Sequence, residues 1–562
     1  MRNAGAVPPC RAPAAAFDEV VCENGNKNGL AVLRAGASIQ GRVMLNFLTG
    51  SKVDHPMADA KKAREIIAEL PADSLKALAE ITQWLESLRD TKAFKVDRLF
   101  DNIDLLDGAA KNHQRKLAQD YFATSRQQKF QENRLWSSSF TFWKALSEAY
   151  LECVARYEST QTGGTAFRRN LLVIVTRTLR ALTLQLKWAL VRYGPVDPRV
   201  WSDIGRLYQF AESMGFAGNT VAIYPGTHGG GSVQQEFLKA VMLCVSSTDG
   251  LSPMRQELAE RAVAHFSAGF RLAREPAPGC RYCFDIAGGK PPFRVIDGMT
   301  PESPTARYFG AGDAFAQLKR VESIVTETGA IPSEVHLGGV YGKDAVLPVL
   351  RHLISYWSDD APARNTQRRH TATRMTVLHG MAEILGTLDP SNSDELDFSD
   401  PAAAEHSAES WIVENVSDGG YGAIIPAAKS DWVRVGALIG VKTETSKHWG
   451  IGIIRRVTRD EHQQRRVGIQ SLSKIAIPVR IGKSGGAFAS APAEPTDSAL
   501  LLATTPDKNG EVGLVLREGI YNSRDSLDMM VNSKPYLLMP SRLAEGGEDF
   551  DWAMFKVMQR SS

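Results

Sequence analysis

Cysteine is scarce in this chain. There are six in 562 residues, at Cys10, Cys22, Cys153, Cys244, Cys280 and Cys283. Such sparse use in a long chain argues against a disulfide framework and for a reducing, cytoplasmic setting. Only Cys280 and Cys283 stand in a C-x-x-C spacing. No second pair completes the four ligands of a structural zinc, and His228, His265 and His352 are isolated, so a core role is expected for both thiols. Charge of one sign is also lacking. Lys and Arg number 66 against 63 Asp and Glu, a formal net charge of +3. The chain therefore does not draw polyanions by bulk electrostatics, and any basic site must be local. Long apolar runs are missing too. The most apolar helical stretch, Leu171 to Val191, is broken by Arg177, Arg180 and Lys187, short of the ~20 apolar residues a membrane span requires. Met1 to Cys10 lacks an apolar core of secretory type.

Phosphate loops and catalytic constellations are equally thin. G-x-x-x-x-G-K-[ST] is absent. The glycine-rich Pro225–Ser232 precedes a helix, where such loops can hold phosphate. No strand clearly feeds it, and a connection between helices is the better reading. Gly288-Gly289-Lys290-Pro291 is no P-loop either, because proline removes the backbone donor a phosphate needs. No nucleophile–base set and no metal-ligand cluster emerges. The expectation is a protein without a catalytic step, a metal or a cofactor.

What is present is a change of period along the chain. Residues 1–55, rich in Ala, Pro, Gly and Asn, read as loosely structured. Residues 56–360 read as a helical domain. Leu75, Leu78, Ile81, Trp84, Leu85 and Leu88 share one helical face, as do Leu171, Val175, Leu179, Leu182, Leu186 and Leu190. Phe94–Leu106 and Ala109–Tyr121 read as two helices, and only short strands are expected there, near 284–286 and 293–296. From Met375 the text turns to β. Residues 361–482 read as a small barrel with an arginine-rich arm, and 483–562 as a β-rich extension. Asp389–Glu409, acidic and rich in Ser and Ala, reads as a surface insertion. The fold class is thus multidomain α+β: a large all-helical N-terminal region, a small antiparallel β-barrel, then a further β-rich unit.

The densest chemistry lies at the start of the β text. An arm from Arg364 to Arg374 supplies guanidinium forks suited to phosphate or to the acceptor edge of guanine. It leads towards Asn415-Val416-Ser417-Asp418-Gly419-Gly420, at the end of the strand-like Ser410–Glu414. Alternation along a strand puts Asn415 and Ser417 on one face, and glycine lets the backbone turn or a ligand approach closely. This pairing resembles the PilZ family, which binds the bacterial second messenger cyclic di-GMP. The family carries R-x-x-x-R on an arm and D/N-x-S-x-x-G on a small barrel. Here Asn415, Ser417 and Gly420 match the second motif. Arg364 and Arg368 have the spacing of the first, while Arg369 to Arg374 is one residue too long.

The resemblance covers roughly 365–482. It implies a bacterial cyclic di-GMP receptor that binds through Arg368, Arg369, Arg374, Asn415, Ser417 and Gly420, with Arg364 the weaker candidate. An arm that orders on the ligand would shift the helical region against the barrel and so signal to a protein partner bound by the helices. The alternative is a PilZ-like structural protein that no longer binds nucleotide. A nucleic-acid module built on the basic pairs Arg455-Arg456 and Arg465-Arg466 is the third reading, disfavoured by the balanced charge. Trp449 is expected in a core rather than in the site.

Overall fold

The computed structural model describes residues 53–124, 128–160, 165–225, 230–295, 303–360, 368–388, 408–426, 432–462, 464–484, 496–503, 505–531 and 534–559. Most of the segment read as loosely structured, Arg364, and most of the acidic insertion lie outside the described residues. Every element below belongs to one unit, His55–Ser562.

Helices come first, and their boundaries follow from local chemistry. Helix α1 (Ala60–Ala68) begins where the Asp59 carboxylate accepts from the backbone N–H groups of Lys61 and Lys62, and α2 (Ser74–Asp90) is capped in the same way by Asp73. Leu78, Ile81, Leu85 and Leu88 of α2 are fully buried, as their spacing requires. The two helices read between Phe94 and Tyr121 are one, α3 (Val96–Ala123). Asp107-Gly108 reads as a break because both residues are poor helix formers. In the fold the Asp107 carboxylate instead accepts from the Tyr150 hydroxyl at 2.7 Å, on α4 (Lys129–Thr160). Tertiary hydrogen bonding thus outweighs the local preference.

Helix α5 (Thr165–Val191) buries the expected stripe, including Leu171, Val175, Leu179, Leu182 and Leu186. Two of its interrupting cations are buried as well. Arg177 is paired with Asp104, and Lys187 with Glu257 and Glu260, so their charges are not left unmatched in the interior. Among the described residues no helix is long and apolar enough to cross a membrane. The bundle is completed by α6 (Pro198–Ser213), α7 (Val233–Val245) and α8 (Pro253–Phe266). The Ser232 hydroxyl that ends the glycine-rich loop caps α7 by accepting from Gln235 N–H, which fits an interhelix connection.

Continuous helical structure ends at Phe266. A four-stranded antiparallel sheet follows, with strands β1 (Arg271–Ala273), β2 (Tyr282–Asp285), β3 (Phe293–Arg294) and β4 (Ala306–Gly310) in the order β1-β4-β2-β3. β2 and β3 sit where short strands were expected. β1 and β4 were not expected, since β1 has only three residues and β4 is buried on both faces and does not alternate. Helices α9 (Asp313–Thr328) and α10 (Lys343–Trp357) close this region.

The remainder is two closed antiparallel barrels. The first comprises β5 (Arg369–His379), β6 (Glu409–Ser417), β7 (Gly420–Ile425), β8 (Leu438–Thr443), β9 (Gly450–Arg459) and β10 (Arg465–Ser473), with helix α11 (Gly380–Leu388) between β5 and β6. The second comprises β11 (Ile477–Lys483), β12 (Asp497–Leu501), β13 (Glu511–Arg517), β14 (Leu527–Val531), β15 (Lys534–Gly546) and β16 (Phe550–Gln559). Numbered from its own first strand, each ring runs first, second, third, sixth, fifth, fourth and back to the first. Inside the first barrel pack Met375, Trp411, Val413, Ile439, Ile454 and Val467, among others; inside the second pack Val479, Leu514, Leu538 and Phe555. The stretch that follows β10 does not extend the first barrel. As β11 it pairs with β12 and β14 and closes the second, so the expected boundary at 482/483 cuts through the second barrel's first strand.

Candidate functional site

The N-x-S-x-x-G motif lies at one end of the first barrel, where β5, β6, β7 and β10 run side by side. Directly opposed residues in antiparallel strands share a face. Val413 faces Ala423, and both are in the barrel core. Glu414 then forms a β-bulge in β6, and on the β5 side Thr371 and Ala372 form the matching irregularity between His370 and Thr373. One extra residue resets the alternation. Asn415 therefore falls opposite Gly422 on the outer face, and Ser417 falls opposite Gly420.

Each polar group then has a defined surrounding. The Asn415 amide lies flat over Gly422: a Cβ on that glycine would sit 2.6–2.9 Å from the amide atoms. Asn415 Oδ1 is buried and accepts no hydrogen bond from a described residue, which is costly for a buried acceptor unless a donor arrives. Among the described residues the Ser417 hydroxyl makes one long bond, 3.4 Å, to the Gly420 carbonyl. Gly420 meets a demand of the sheet itself. A Cβ there would be 1.8 Å from the Ile469 carbonyl oxygen of β10, so the neighbouring strand alone already demands glycine here. Gly422 was overlooked in the sequence, although the Gly420-Tyr421-Gly422 alternation is a visible signal for a bare outer face.

The arginines are placed less as an arm than as part of the sheet. Arg369 opens β5 and Arg374 sits in its middle, so the strand starts six residues before the expected Met375. Arg374 is opposite Ile412 on the outer face, one rung from Asn415. Arg369 is opposite Val416, whose partner Tyr421 packs on the barrel core, which places Arg369 at the rim. Arg368 immediately precedes the strand. All three are exposed, and none forms an ion pair or side-chain hydrogen bond with another described residue.

The other basic pairs differ sharply. Arg455 makes two 2.6 Å hydrogen bonds to the Glu545 carboxylate, Arg456 is paired with Asp249, and Arg466 lies 3.6 Å from Glu414. Trp449 packs against the apolar cluster between the barrels. Cys280 and Cys283 are buried. Burial pushes both thiols up, Cys283 to about 11, which keeps them protonated near neutrality and poor as metal ligands or nucleophiles. Among the described residues no group of three or more His, Cys, Asp or Glu is arranged to hold a metal. A cavity of about 740 Å³ opens at the far end of the first barrel, beside His379, Trp432 and Arg465, and includes none of the motif residues.

A closed six-stranded antiparallel barrel with this motif at the turn between its second and third strands is a PilZ domain. Residues 387–478 match the family model described as Cyclic-di-GMP receptor FimW, middle PilZ domain, and residues 61–277 match Cyclic-di-GMP receptor FimW, N-terminal domain. The chain belongs to this family of cyclic-di-GMP receptors. Comparison with curated proteins gives no match. The PilZ match contains Asn415, Ser417 and Gly420 and begins after Arg374.

Proposed function

We propose that the protein is a cytoplasmic cyclic di-GMP receptor without a catalytic step, and that the nucleotide binds across the outer face and rim of the first barrel. The observation that carries this reading is that, among the described residues, three exposed arginines have no acidic partner and a buried acceptor beside them has no donor. Arg368 and Arg369 at the rim and Arg374 on the outer face suit phosphates and the O6/N7 edge of guanine. Asn415 Oδ1 suits an N–H donor of the guanine base. Ser417, held by one long bond, is available to rotate towards the ligand. Gly420 acts indirectly, by letting β7 lie against β10 and so placing the turn.

Charge-assisted hydrogen bonds contribute about 1.5–3 kcal/mol each. Three or four of them, less the cost of ordering the arginine side chains, suffice for the affinity of a second-messenger receptor. The nucleic-acid reading loses its support, because Arg455, Arg456 and Arg466 are held by carboxylates. A protein partner on the helical region belongs to the same proposal.

Calorimetric titration with cyclic di-GMP tests the reading. Saturable binding by the parent, lost in Arg368→Ala/Arg369→Ala and in Asn415→Ala/Ser417→Ala, is the expected result. A parent that gives no heat and no protection would make the first barrel a structural module. Binding that survives both double substitutions would move the site elsewhere.

A further inference from the structure

The second barrel repeats the first in strand order, so equivalent positions can be compared rung by rung. In the first barrel the outer rung through the motif reads His370, Asn415, Gly422, Gly468, Arg456 across β5, β6, β7, β10 and β9. In the second, the rung across β11, β12, β13, β16 and β15 reads Pro478, Leu500, Val515, Trp552, Glu545. At the first four positions polar or bare residues give way to apolar ones, and only Glu545 keeps a charge. The β12–β13 connection, Leu502 to Gly510, contains no N-x-S-x-x-G. Leu500 and Val515 are fully buried. They pack with Met381, Ile384 and Leu385 of α11 and with Leu438, Ile451 and Ile453 on the outside of the first barrel. A face equivalent to the ligand face is therefore covered by the first barrel itself.

Two connections run from the motif to this covered barrel. One follows the chain. β5, which carries Arg369 and Arg374, leads directly into α11, whose first turn is held by Asp549: its Oδ2 accepts from Met381 N–H at 2.6 Å. Gly380 permits the approach. Its φ is +79°, and a Cβ would lie 2.7 Å from that oxygen. The other runs across the sheet. Gln470, opposite Gly420, accepts from Arg455 Nε at 2.7 Å, and the same guanidinium grips Glu545. Glu548 adds an ion pair with Arg434. Three carboxylates at the β15–β16 end of the second barrel thus hold three separate points of the first.

We infer that the C-terminal barrel is a second copy of the PilZ barrel that has given up its ligand face and acts as the receiver of the first, coupled through α11–Asp549 and Gln470–Arg455–Glu545. This rests on the reading that the first barrel binds cyclic di-GMP. Nucleotide bound at Arg369, Arg374 and Asn415 engages β5 and the β6–β7 turn, and both ends of that contact are wired to β15–β16.

Hydrogen exchange on the full chain, with and without cyclic di-GMP, tests the inference. Expected is a ligand-dependent change in amide protection over 534–559 that is lost in Glu545→Gln/Asp549→Asn, while this variant's affinity stays within about threefold of the parent, as for sites remote from the ligand. Binding without any change over 534–559 would overturn the receiver role and leave the receptor reading intact. So would nucleotide binding that persists in Asn415→Ala/Ser417→Ala and maps to 477–559, since the second barrel would then hold a site of its own. A parent that binds no nucleotide would remove the receptor reading and the receiver role with it. The clamp is then judged separately: Glu545→Gln/Asp549→Asn should raise ligand-free exchange in α11, and no rise would show that the carboxylates hold nothing.

Discussion

On the outer face of the first barrel β6 and β7 present Asn415 against Gly422; at the same place in the second, β12 and β13 present Leu500 against Val515. Their interiors tell no such story, since both are filled by aliphatic and aromatic side chains. The inside of a closed barrel must be packed whatever the protein does, whereas the outside is where function is placed. An outer rung of amide and glycine leaves room and hydrogen-bonding capacity for a ligand. An outer rung of Leu, Val and Trp gains from being covered, at roughly 1.5–3 kcal/mol for each large side chain fully buried. The comparison therefore divides the roles on one plan of strands: one barrel kept accessible, the other kept covered.

Glycine gives the largest contrast. Gly420 of β7 faces the Ile469 carbonyl at a separation no Cβ can share, while a Cβ on Gly513 of β13 would meet only side-chain atoms, the nearest Leu502 Cδ1 at 3.3 Å. Gly420→Ala is expected to destabilise by about 3 kcal/mol, and Gly513→Ala by less than about 1 kcal/mol, both read from denaturant unfolding. Equal losses would show that the two rings are not packed as described.

The arginines come next. Arg368→Ala/Arg369→Ala should lower cyclic di-GMP affinity about a hundredfold or more, from two charge-assisted contacts at about 1.5–3 kcal/mol each, with unfolding unchanged because neither side chain has a partner among the described residues. Arg455→Ala, by contrast, should leave direct ligand contacts alone and cost stability, because Glu545 would lose both of its hydrogen bonds to that guanidinium. Calorimetry and unfolding on the same two proteins separate a ligand arginine from an interdomain arginine.

Gly422→Ala is subtler. A methyl there pushes the Asn415 amide off the strand. A side chain can yield where a backbone carbonyl cannot, so stability should change by less than about 1 kcal/mol while affinity falls about tenfold. An unchanged affinity would take Asn415 out of the site.

Much of this plan was legible in the sequence, and the failures have physical causes. Longer runs rich in Ile, Val and Leu were visible as strands, as in β9 and β13, although both are buried on both faces over much of their length and do not alternate. The first half of β5 was not. Arg369-His370-Thr371-Ala372-Thr373-Arg374 contains an irregularity and a solvent-facing rung, so no apolar alternation marks it, and its strand conformation comes from pairing with β6. Helix α11 was missed although Met381, Ile384, Leu385 and Leu388 have helical spacing, because nine residues squeezed between β5 and an acidic stretch look like a turn. The motif was readable as Asn415, Ser417 and Gly420, but the reason for the glycine was not, since the carbonyl that requires it lies 49 residues away in β10. The common strand order of the two barrels left no trace in the sequence, because ring order is decided by which strands pair and not by which residues fill them.

Histidine offers the finest test of the comparison. The second barrel, from Ile477 to the end of the chain, contains none. The first carries His379 at the end of β5, stacked on Trp432 with ring centroids 4.1 Å apart. Burial lowers its pKa from the ordinary 6.5 despite the opposing pull of Asp549 and Glu409, with Lys129 adding to the lowering. An imidazole that resists protonation in the fold is protonated first in the unfolded chain. The unfolded state then binds more protons in the window just below 6.5, and stability falls as pH drops through it. Protection of the β5 and β8 amides should therefore weaken as pH is lowered from 7 towards the lowered pKa of His379, after correction for the intrinsic exchange rate. Replacing the ring by His379→Phe, which keeps the stacking on Trp432, should flatten this local dependence. Amides of β13 and β16, which have no histidine of their own, should respond only as far as α11 and the Asp549 clamp carry the change. A loss of protection of equal size in both barrels would mean that they open as one body. A loss confined to β5 and β8 would mean that the accessible barrel can loosen while the covered one stays closed, as a receiver requires.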